Sequence, residues 1–209
     1  YCNIHEGLMD VVASDGHKIM KTAIHTPHLG DGTHFLMPKK AAQVALSIIT
    51  AEDEEVSLSF TEHEGLIEQT GYAFYFRQIE GHYPNYHSVI PIDHPHEVIA
   101  DRADLISALK AVEPFSPDSS NMVTMTFLGD RLDIRGEDYD FATGANKSIA
   151  IEGFGSEQLT IGIKASSMIK ILMQLDSQNV IMRLKDKNSA VTIEPDTDDK
   201  EEVKEEIIA

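Results

Sequence analysis

Short runs of alternating hydrophobic and polar residues fill most of this chain, and three longer stretches change to helical spacing. In those stretches, apolar residues recur every three or four positions over residues 38–49, 102–112 and 166–175, which predicts three amphipathic helices. Pro38 suits the first turn of the first helix. Ser166 is the predicted N-cap of the third helix, because a serine hydroxyl accepts hydrogen bonds from the first turn.

The alternating runs predict strands that are grouped by tight turns. Asp15-Gly16 joins a hairpin whose arms are residues 8–14 and 18–24, and Gly129-Asp130 joins a second hairpin. Two weaker strands are predicted at residues 140–145 and 148–152. The other predicted strands are residues 56–60, 66–70, 72–78, 96–100, 122–128, 131–135, 159–163, 180–184 and 190–193. Residues 51–55 form a predicted acidic turn, and the acidic residues 196–206 form a predicted mobile tail.

The order of these elements repeats. Each unit has a strand, a helix and then two or more strands, and the helix starts recur at a period of about 64 residues. Such units are too long for the common solenoid repeats. The pattern therefore predicts an α+β fold in which the helices pack on one face of a continuous antiparallel sheet.

Residues 79–91 stand between two copies of this pattern. Gly81 and Pro84-Asn85 favour turns, but Tyr83, Tyr86 and Val89 are side chains that favour burial. A flexible linker is rich in Gly and Ser and lacks aromatic residues. We therefore interpret the segment as an ordered connector between two domains of one kind, bordering a site for a partner protein.

Composition narrows the class of protein. The 209 residues suffice for two domains of about 100 residues each. The single cysteine, Cys2, excludes a disulfide within the chain and indicates a reducing compartment, so we expect the cytoplasm. No apolar run approaches the ~20 residues of a membrane span, and no signal-peptide pattern opens the chain.

Charge is unevenly distributed. The formal net charge is −18, yet residues 38–49, 102–112 and 164–175 hold six basic residues and one acid. The rest of the chain holds 11 basic and 34 acidic residues. If the helices share one face of the sheet, that face is positive and suits non-specific contact with a phosphate backbone. The alternative is that these basic residues form an ordinary solvated helix surface.

Five segments carry a resemblance to a known family. They are residues 12–19 (Val-Ala-Ser-Asp-Gly-His-Lys-Ile), 35–40 (Phe-Leu-Met-Pro-Lys-Lys), 79–91 (Ile-Glu-Gly-His-Tyr-Pro-Asn-Tyr-His-Ser-Val-Ile-Pro), 103–110 (Ala-Asp-Leu-Ile-Ser-Ala-Leu-Lys) and 161–168 (Ile-Gly-Ile-Lys-Ala-Ser-Ser-Met). Together they make the chain resemble the bacterial sliding clamp, the β subunit of DNA polymerase III. The Asp-Gly-His and Glu-Gly-His-Tyr-Pro-Asn-Tyr motifs are specific in combination, and the matches cover almost the whole chain in family order.

The resemblance implies a fold and a function. Family members have three domains of one fold, and two chains close head to tail into a ring through which duplex DNA passes without being read. Residues 1–92 then correspond to most of the middle domain and residues 93–209 to most of the third. The first domain, the start of the middle domain and the last strand of the family have no counterpart, so we expect a truncated chain.

The resemblance also implies site residues, and no cofactor. A pocket for short peptide motifs of the polymerase, the clamp loader and repair proteins is expected at Ser14, Gly16, His17, Lys18, Ile19, Pro84, Ser88, Val89, Asn188 and Ala190. The predicted DNA-facing residues are Lys39, Lys40, Arg102, Lys110, Lys164 and Lys170. Pro114 and Phe115 stand where the family has an apolar contact of the ring interface, and Phe115 could instead be plain core.

Other interpretations stay open. Asp-Gly-His could be only a hairpin turn, and Tyr83-Pro84 only linker packing. The chain could be a truncated clamp-like module that binds peptides without encircling DNA. A third hypothesis is a metal-dependent hydrolase that uses His94 and His96, or the set His25, His28 and His34. However, these histidines lack cysteine partners at zinc-site spacing, and no phosphate-binding glycine loop or catalytic triad is present in the sequence.

Overall fold

The computed structural model describes residues 1–26, 32–49 and 55–197, and the backbone of residues 203–208. Predictions for residues 51–54, for His28 and for residues 198–202 lie outside the described residues. The described chain divides into two compact units. The first comprises residues 1–13 and 22–85, and the second comprises residues 14–21 and 86–209.

The first unit is built from short antiparallel strands and one helix. Its elements are β1 (Cys2–His5), β2 (Leu8–Ser14), β3 (Ile19–His25), β4 (Thr33–Phe35), α1 (Lys39–Ile48), β5 (Ser57–Phe60), β6 (Glu64–Gln69) and β7 (Tyr72–Arg77). Ser14 of β2 and the first residues of β3 belong to the second unit by their contacts. Strand β1 pairs antiparallel with β2 and β4, so that Cys2 lies opposite both Val11 and Phe35.

Helix α1 covers the meander β5-β6-β7. It buries Ala41 and Ala45 against Ile67 and Phe76 of strands β6 and β7. The two alanines are four residues apart and therefore lie on one helical face. Lys39 and Lys40 at the start of α1 are exposed, so the helix is amphipathic as the sequence predicts.

The second unit has the larger core. Its elements are β8 (His96–Asp101), α2 (Arg102–Val112), β9 (Met122–Leu128), β10 (Arg131–Asp138), β11 (Thr143–Ala150), β12 (Gln158–Lys164), α3 (Ala165–Leu172), β13 (Asn179–Leu184), β14 (Thr192–Asp196) and β15 (Val203–Ile208). One antiparallel sheet has the order β11-β10-β9-β12, and the strands β8-β13-β14-β15 are also neighbours in that order.

The two helices of this unit fill the core between its strands. Leu105, Leu109 and Val112 of α2 are fully buried, at the spacing that places them on one stripe. Asp101 caps α2, since its side chain accepts a hydrogen bond from the Asp104 N–H at 2.9 Å. Deep burial of Met168 and Leu172 fixes α3 in the same core cluster. The α+β class and the antiparallel pattern predicted from the sequence are confirmed.

Two local predictions in this unit are wrong. Ser166 does not cap α3: the N-cap residue is Lys164, and the Ser166 N–H donates instead to the Asn121 side chain at 3.0 Å. The weak strands at 140–145 and 148–152 are one strand, β11, which pairs with β10 along its whole length. Asp138 explains the shift, because its carboxylate accepts hydrogen bonds from the N–H groups of Asp140 and Phe141 and so forms a turn there.

The acidic end of the chain is not uniformly a mobile tail. The backbone of residues 203–208 forms β15, which pairs antiparallel with β14 and brings Ile208 opposite Thr192. Strand β14 therefore has a hydrogen-bonded neighbour on each side. None of the helices in the described ranges is long and apolar enough to cross a membrane.

The connector is ordered on both sides of its Pro84-Asn85 turn. Tyr83 stacks on Tyr1 in the first unit, with ring centroids 4.6 Å apart. Tyr86 is buried in the second unit and begins a short 3-10 helix, Tyr86–Ser88. The division between the units falls between Asn85 and Tyr86; the domain boundary at residues 92/93 stays a prediction.

Candidate partner-binding site

A cleft of about 450 Å³ lies within the second unit. It is bordered by the β2–β3 turn, by the facing ends of β9 and β12, by the start of α3 and by the β13–β14 loop. Its lining residues are Asp15, His17, Lys18, Met122, Ile161, Gly162, Ile163, Lys164, Ser167, Lys187, Ser189 and Val191.

The first wall is the β2–β3 turn, which Asp15 holds in place. One oxygen of the Asp15 carboxylate accepts hydrogen bonds from the backbone N–H groups of His17 and Lys18, both at 3.0 Å. Gly16 takes a positive φ of 85°, a conformation that favours glycine. Ser14 completes the turn, because its hydroxyl donates to the Lys18 carbonyl and accepts from the Gly16 N–H.

Asp15 also forms an ion pair with the Lys18 ammonium. That contact, together with the two backbone N–H donors, lowers the pKa of the Asp15 carboxyl well below its usual range. The carboxylate is therefore ionised at neutral pH, and the Lys18 charge is largely compensated within the turn itself.

The second wall is the β13–β14 loop, in which an aspartate also accepts hydrogen bonds from two backbone N–H groups. The Asp186 carboxylate accepts hydrogen bonds from the N–H groups of Asn188 and Ser189, at 2.8 and 2.9 Å. These bonds lower the pKa of Asp186, with the Asn188 N–H as the largest cause. A carboxylate that bonds to the backbone two residues on is the signature of an Asx turn. Lys187 and Ser189 of this turn reach the cleft.

The base of the cleft is a strand pair that is joined to a helix. Lys164, the last residue of β12, lies opposite Met122, the first residue of β9. Asn121, just before Met122, accepts from the Ala165 N–H with its backbone carbonyl and from the Ser166 N–H with its side chain, both at 3.0 Å. Asn121 thus ties the start of α3 to the start of β9 and fixes the Lys164–Met122 edge of the cleft.

The charge of the cleft is opposite to that of the chain. Its lining contains three lysines and one carboxylate, whereas the whole chain has a net charge of −18. Lys18 is paired with Asp15. In the described parts of the chain, Lys164 and Lys187 form no ion pair. Two lysines without an ion pair among the described residues therefore line the cleft, together with Ile161, Ile163 and Val191.

The structure brings together only part of the predicted peptide pocket. Of the predicted residues, His17 and Lys18 line the cleft. Ser14, Gly16 and Ile19 belong to the same turn, and Asn188 and Ala190 alternate along the chain with the lining residues Lys187, Ser189 and Val191. Ser88 and Val89 belong to the second unit but do not line this cleft, and Pro84 belongs to the first unit.

The predicted DNA-facing residues differ in their environment. Lys39, Lys40, Lys110 and Lys170 are exposed on helices, and none of them forms an ion pair within the described ranges. Arg102 is half-buried and donates to the carbonyls of Ser177 and Leu172, at 2.6 and 3.3 Å. Its guanidinium therefore joins the start of α2 to the end of α3. Lys164 lines the cleft.

The remaining predicted features lie apart from the cleft. Pro114 and Phe115 form a short 3-10 helix with Glu113 after α2. Phe115 is partly exposed, and Gly136 of β10 packs against the Val112 carbonyl where a side chain would not fit. Among the described residues, no three His, Cys, Asp or Glu side chains stand close enough to hold a metal ion. His28 lies outside those residues.

Several lining residues were not predictable from the sequence. Met122, Ser167, Lys187 and Ser189 carried no signal as single residues, because each becomes part of the cleft only when four distant segments meet. One local signal was available. Asp186-Lys-Asn-Ser has an Asp two residues before an Asn, which is typical of a turn that orients the residues inside it.

The chain matches two family descriptions. Residues 87–207 match "DNA polymerase III beta subunit, C-terminal domain", and residues 1–85 match the central domain of the same subunit. The beta sliding clamp of Pseudomonas aeruginosa is 22% identical over 198 residues, covering 94% of this chain and 53% of that protein. That of Synechocystis sp. is 30% identical over 125 residues, covering 57% of this chain and 30% of that protein.

Solved structures show the same fold. A DNA polymerase sliding clamp from Pseudomonas aeruginosa superposes with a TM-score of 0.92 at 20% identity, over 100% of this chain and 56% of that one. A DnaN sliding clamp from Bartonella birtlesii, solved bound to griselimycin, superposes with a TM-score of 0.87 at 24% identity, over 100% of this chain and 56% of that one. The chain spans about half the length of the curated relatives it matches. It belongs to the β sliding clamp family of DNA polymerase III, in which it matches the central and C-terminal domains.

Proposed function

We propose that this protein is a sliding clamp of bacterial DNA replication: a non-catalytic, cytoplasmic processivity factor. It encircles duplex DNA without reading its sequence and tethers partners through a peptide-binding pocket. The observation that carries the proposal is the cleft of the second unit, where the Asp15 turn and the β13–β14 loop meet in a chain that matches the clamp family over both of its domains. The partners are the replicative polymerase, the clamp loader and repair proteins, each with a short peptide motif.

Retention on DNA rests on the exposed lysines of the helices. Lys39, Lys40, Lys110 and Lys170 are exposed and without an ion pair in the described ranges. Ammonium groups of this kind attract the phosphates of duplex DNA regardless of base sequence. Lys164 and Arg102 are weaker candidates, because Lys164 faces the cleft and Arg102 donates to backbone carbonyls.

Ring closure supplies the encirclement. In the full-length protein, two chains form a closed homodimer, and the partly exposed Phe115 with Pro114 belongs to that interface. Closed rings of identical chains are the usual symmetric assemblies of soluble proteins. A closed ring needs only weak contacts with DNA, because topology rather than affinity prevents dissociation.

The pocket is tested with griselimycin, the ligand of two solved clamp structures. We expect titration calorimetry to show binding to the 209-residue chain, and we expect Met122→Asp to weaken it strongly, because Met122 is 41% exposed and lines the cleft. Leu46→Asp is the matched control, because it places the same charge on an exposed apolar residue of α1 in the first unit. Unchanged binding by Met122→Asp would contradict the pocket.

The DNA function is tested in the full-length protein loaded on circular DNA. Lys39→Glu with Lys40→Glu should shorten retention and steepen its loss with salt, since two phosphate-attracting charges become repulsive. Lys147→Glu on strand β11 is the control for a general change in net charge. Equal retention of the helix variant and the control would argue against a positive inner face.

A further inference from the structure

We propose that the cleft of the second unit selects acidic peptides, and that Lys164 and Lys187 read a carboxylate placed beside an apolar anchor residue. This inference rests on the proposed peptide-binding function and adds the chemical class of the partner. It assigns to Lys164 a role in the cleft in place of the predicted contact with DNA.

The described lining of the cleft carries more positive than negative charge. Lys18 is paired with Asp15, which is the single carboxylate among the described lining residues. Lys164 and Lys187 are exposed, and no carboxylate of the described residues pairs with them. A partner that supplies a carboxylate therefore forms charge-assisted hydrogen bonds that the free protein lacks.

The contrast with the rest of the protein makes this local charge selective. A chain with a net charge of −18 repels acidic partners at long range. A cleft with two ammonium groups that no carboxylate of the described residues pairs with is then a place where an acidic segment gains electrostatic energy. Complementary charge of this kind contributes mainly to specificity and orientation, while apolar contact supplies most of the affinity.

Both lysines are held by ordered neighbours. Lys187 stands inside the turn that Asp186 fixes through the N–H groups of Asn188 and Ser189. Lys164 lies opposite Met122 on the β9–β12 pair, and the next two N–H groups of the chain bond to Asn121. The backbones that carry the charges are thus ordered before a peptide binds, which lowers the entropic cost of binding.

The apolar part of the lining favours a peptide over a nucleic acid. Ile161, Ile163 and Val191 line the cleft beside Met122, and no Phe, Tyr or Trp is among the lining residues. Proteins that bind single-stranded nucleic acid stack bases on aromatic rings, and this cleft offers none of those three rings. A segment with an apolar side chain next to an Asp or Glu matches both components of the cleft.

The test compares two capped octapeptides that share a Leu-Leu core, chosen to match the aliphatic lining of Ile161, Ile163 and Val191, and carry either two Glu or two Gln residues before it. With the 209-residue chain at about 50 mM salt, we expect the Glu peptide to bind roughly three- to tenfold tighter than the Gln peptide. That ratio should fall towards one at about 0.5 M salt, where exposed charges are screened. Fluorescence polarisation of labelled peptides measures both constants.

The decisive variant is Lys164→Gln with Lys187→Gln, in which we expect the Glu/Gln ratio to fall towards one. Arg77→Gln with Lys147→Gln is the matched control: it removes the same charge from exposed positions of strands β7 and β11 and should leave the ratio unchanged. Circular dichroism confirms that both variants are folded.

Each other outcome overturns the inference. A ratio of one in the unmodified chain excludes charge selection, and if griselimycin still binds, the proposed pocket survives that failure. A ratio that falls equally in both variants assigns the preference to the overall charge of the protein. Tighter binding of a single-stranded octanucleotide than of the Glu peptide, lost in the cleft variant, identifies phosphate as the ligand. Absence of binding by griselimycin and by both peptides contradicts the pocket itself.

Discussion

Two turns border the cleft, and they are built alike but differ in the state of their lysines. In each turn, an aspartate accepts hydrogen bonds from two backbone N–H groups: His17 and Lys18 bond to Asp15, and Asn188 and Ser189 bond to Asp186. Lys18 pairs with the aspartate of its own turn, whereas Lys187 forms no ion pair in the described parts of the chain. The same local motif therefore yields one neutralised wall and one positive wall.

This difference shows that residue type alone does not determine the charge a site presents. Lys18 stands in one of the five segments that carry the family resemblance, and it pairs with the carboxylate of its own turn. Lys187 stands outside those five segments, and it has no ion-pair partner among the described residues. Coulomb interaction between exposed groups is weak at long range, so the nearest carboxylate decides which lysine can attract a partner.

The largest expected effect comes from removing the turn aspartates. Asp15→Ala should weaken griselimycin binding roughly tenfold, and Asp186→Ala should weaken it less, because Asp15 holds two N–H groups and the Lys18 side chain together. Titration calorimetry measures both constants. Asp15→Asn and Asp186→Asn keep an acceptor oxygen and should retain most of the binding. Asparagine variants as weak as the alanine variants would show that charge, and not turn geometry, supports the cleft.

The next effect separates the two lysines. Lys187→Gln should weaken the Glu octapeptide roughly threefold, while Lys18→Gln should change it less than about twofold, since the charge of Lys18 is already paired. Both variants should bind the Gln octapeptide as the unmodified chain does. Equal losses for the Glu peptide in the two variants would remove the distinction between a neutralised and a positive wall.

A smaller effect is expected from freeing Lys18. Asp15→Asn keeps the acceptor oxygen of the turn but removes the ion pair, so the Glu octapeptide should bind about twofold tighter. Asp186→Asn should give a smaller gain, because Asp186 does not line the cleft and releases no paired lysine there. Polarisation titrations at low salt resolve the two. A larger gain from Asp186→Asn would contradict the assignment of the ion pair.

The smallest effect is in the titration of the two aspartates. The pKa of each is lowered, so the turn hydrogen bonds are present above the ordinary aspartate pKa of about 3.9 and are lost only as the pH falls through the lowered values. Lys18→Gln should raise the pKa of Asp15, because the hydrogen bond from the Lys18 side chain is the largest cause of its lowering. Lys187→Gln should leave the pKa of Asp186 unchanged, since hydrogen bonds from Asn188 and Ser189 are the main causes of its lowering. Carboxyl chemical shifts in NMR titrations report both.

Much of the fold was accessible from periodicity. The three helices, the antiparallel strands and the Asp15-Gly16 turn follow from hydrophobic spacing and local backbone preference, which are properties of short segments. The errors arose where a distant group intervened. Asn121 satisfies the N–H groups at the start of α3 in place of Ser166, and pairing with β10 makes one strand of residues that look like two weak ones.

The sequence by itself determined the family, the repeated α+β architecture and the concentration of basic residues on helices, because motif, period and charge are written along the chain. The tertiary structure decided which of those basic residues serve which purpose. Arg102 donates to the carbonyls of Ser177 and Leu172, and Lys164 and Lys187 both line one cleft. These assignments depend on contacts between residues that are far apart in the sequence, and hydrophobic periodicity carries no information about such contacts.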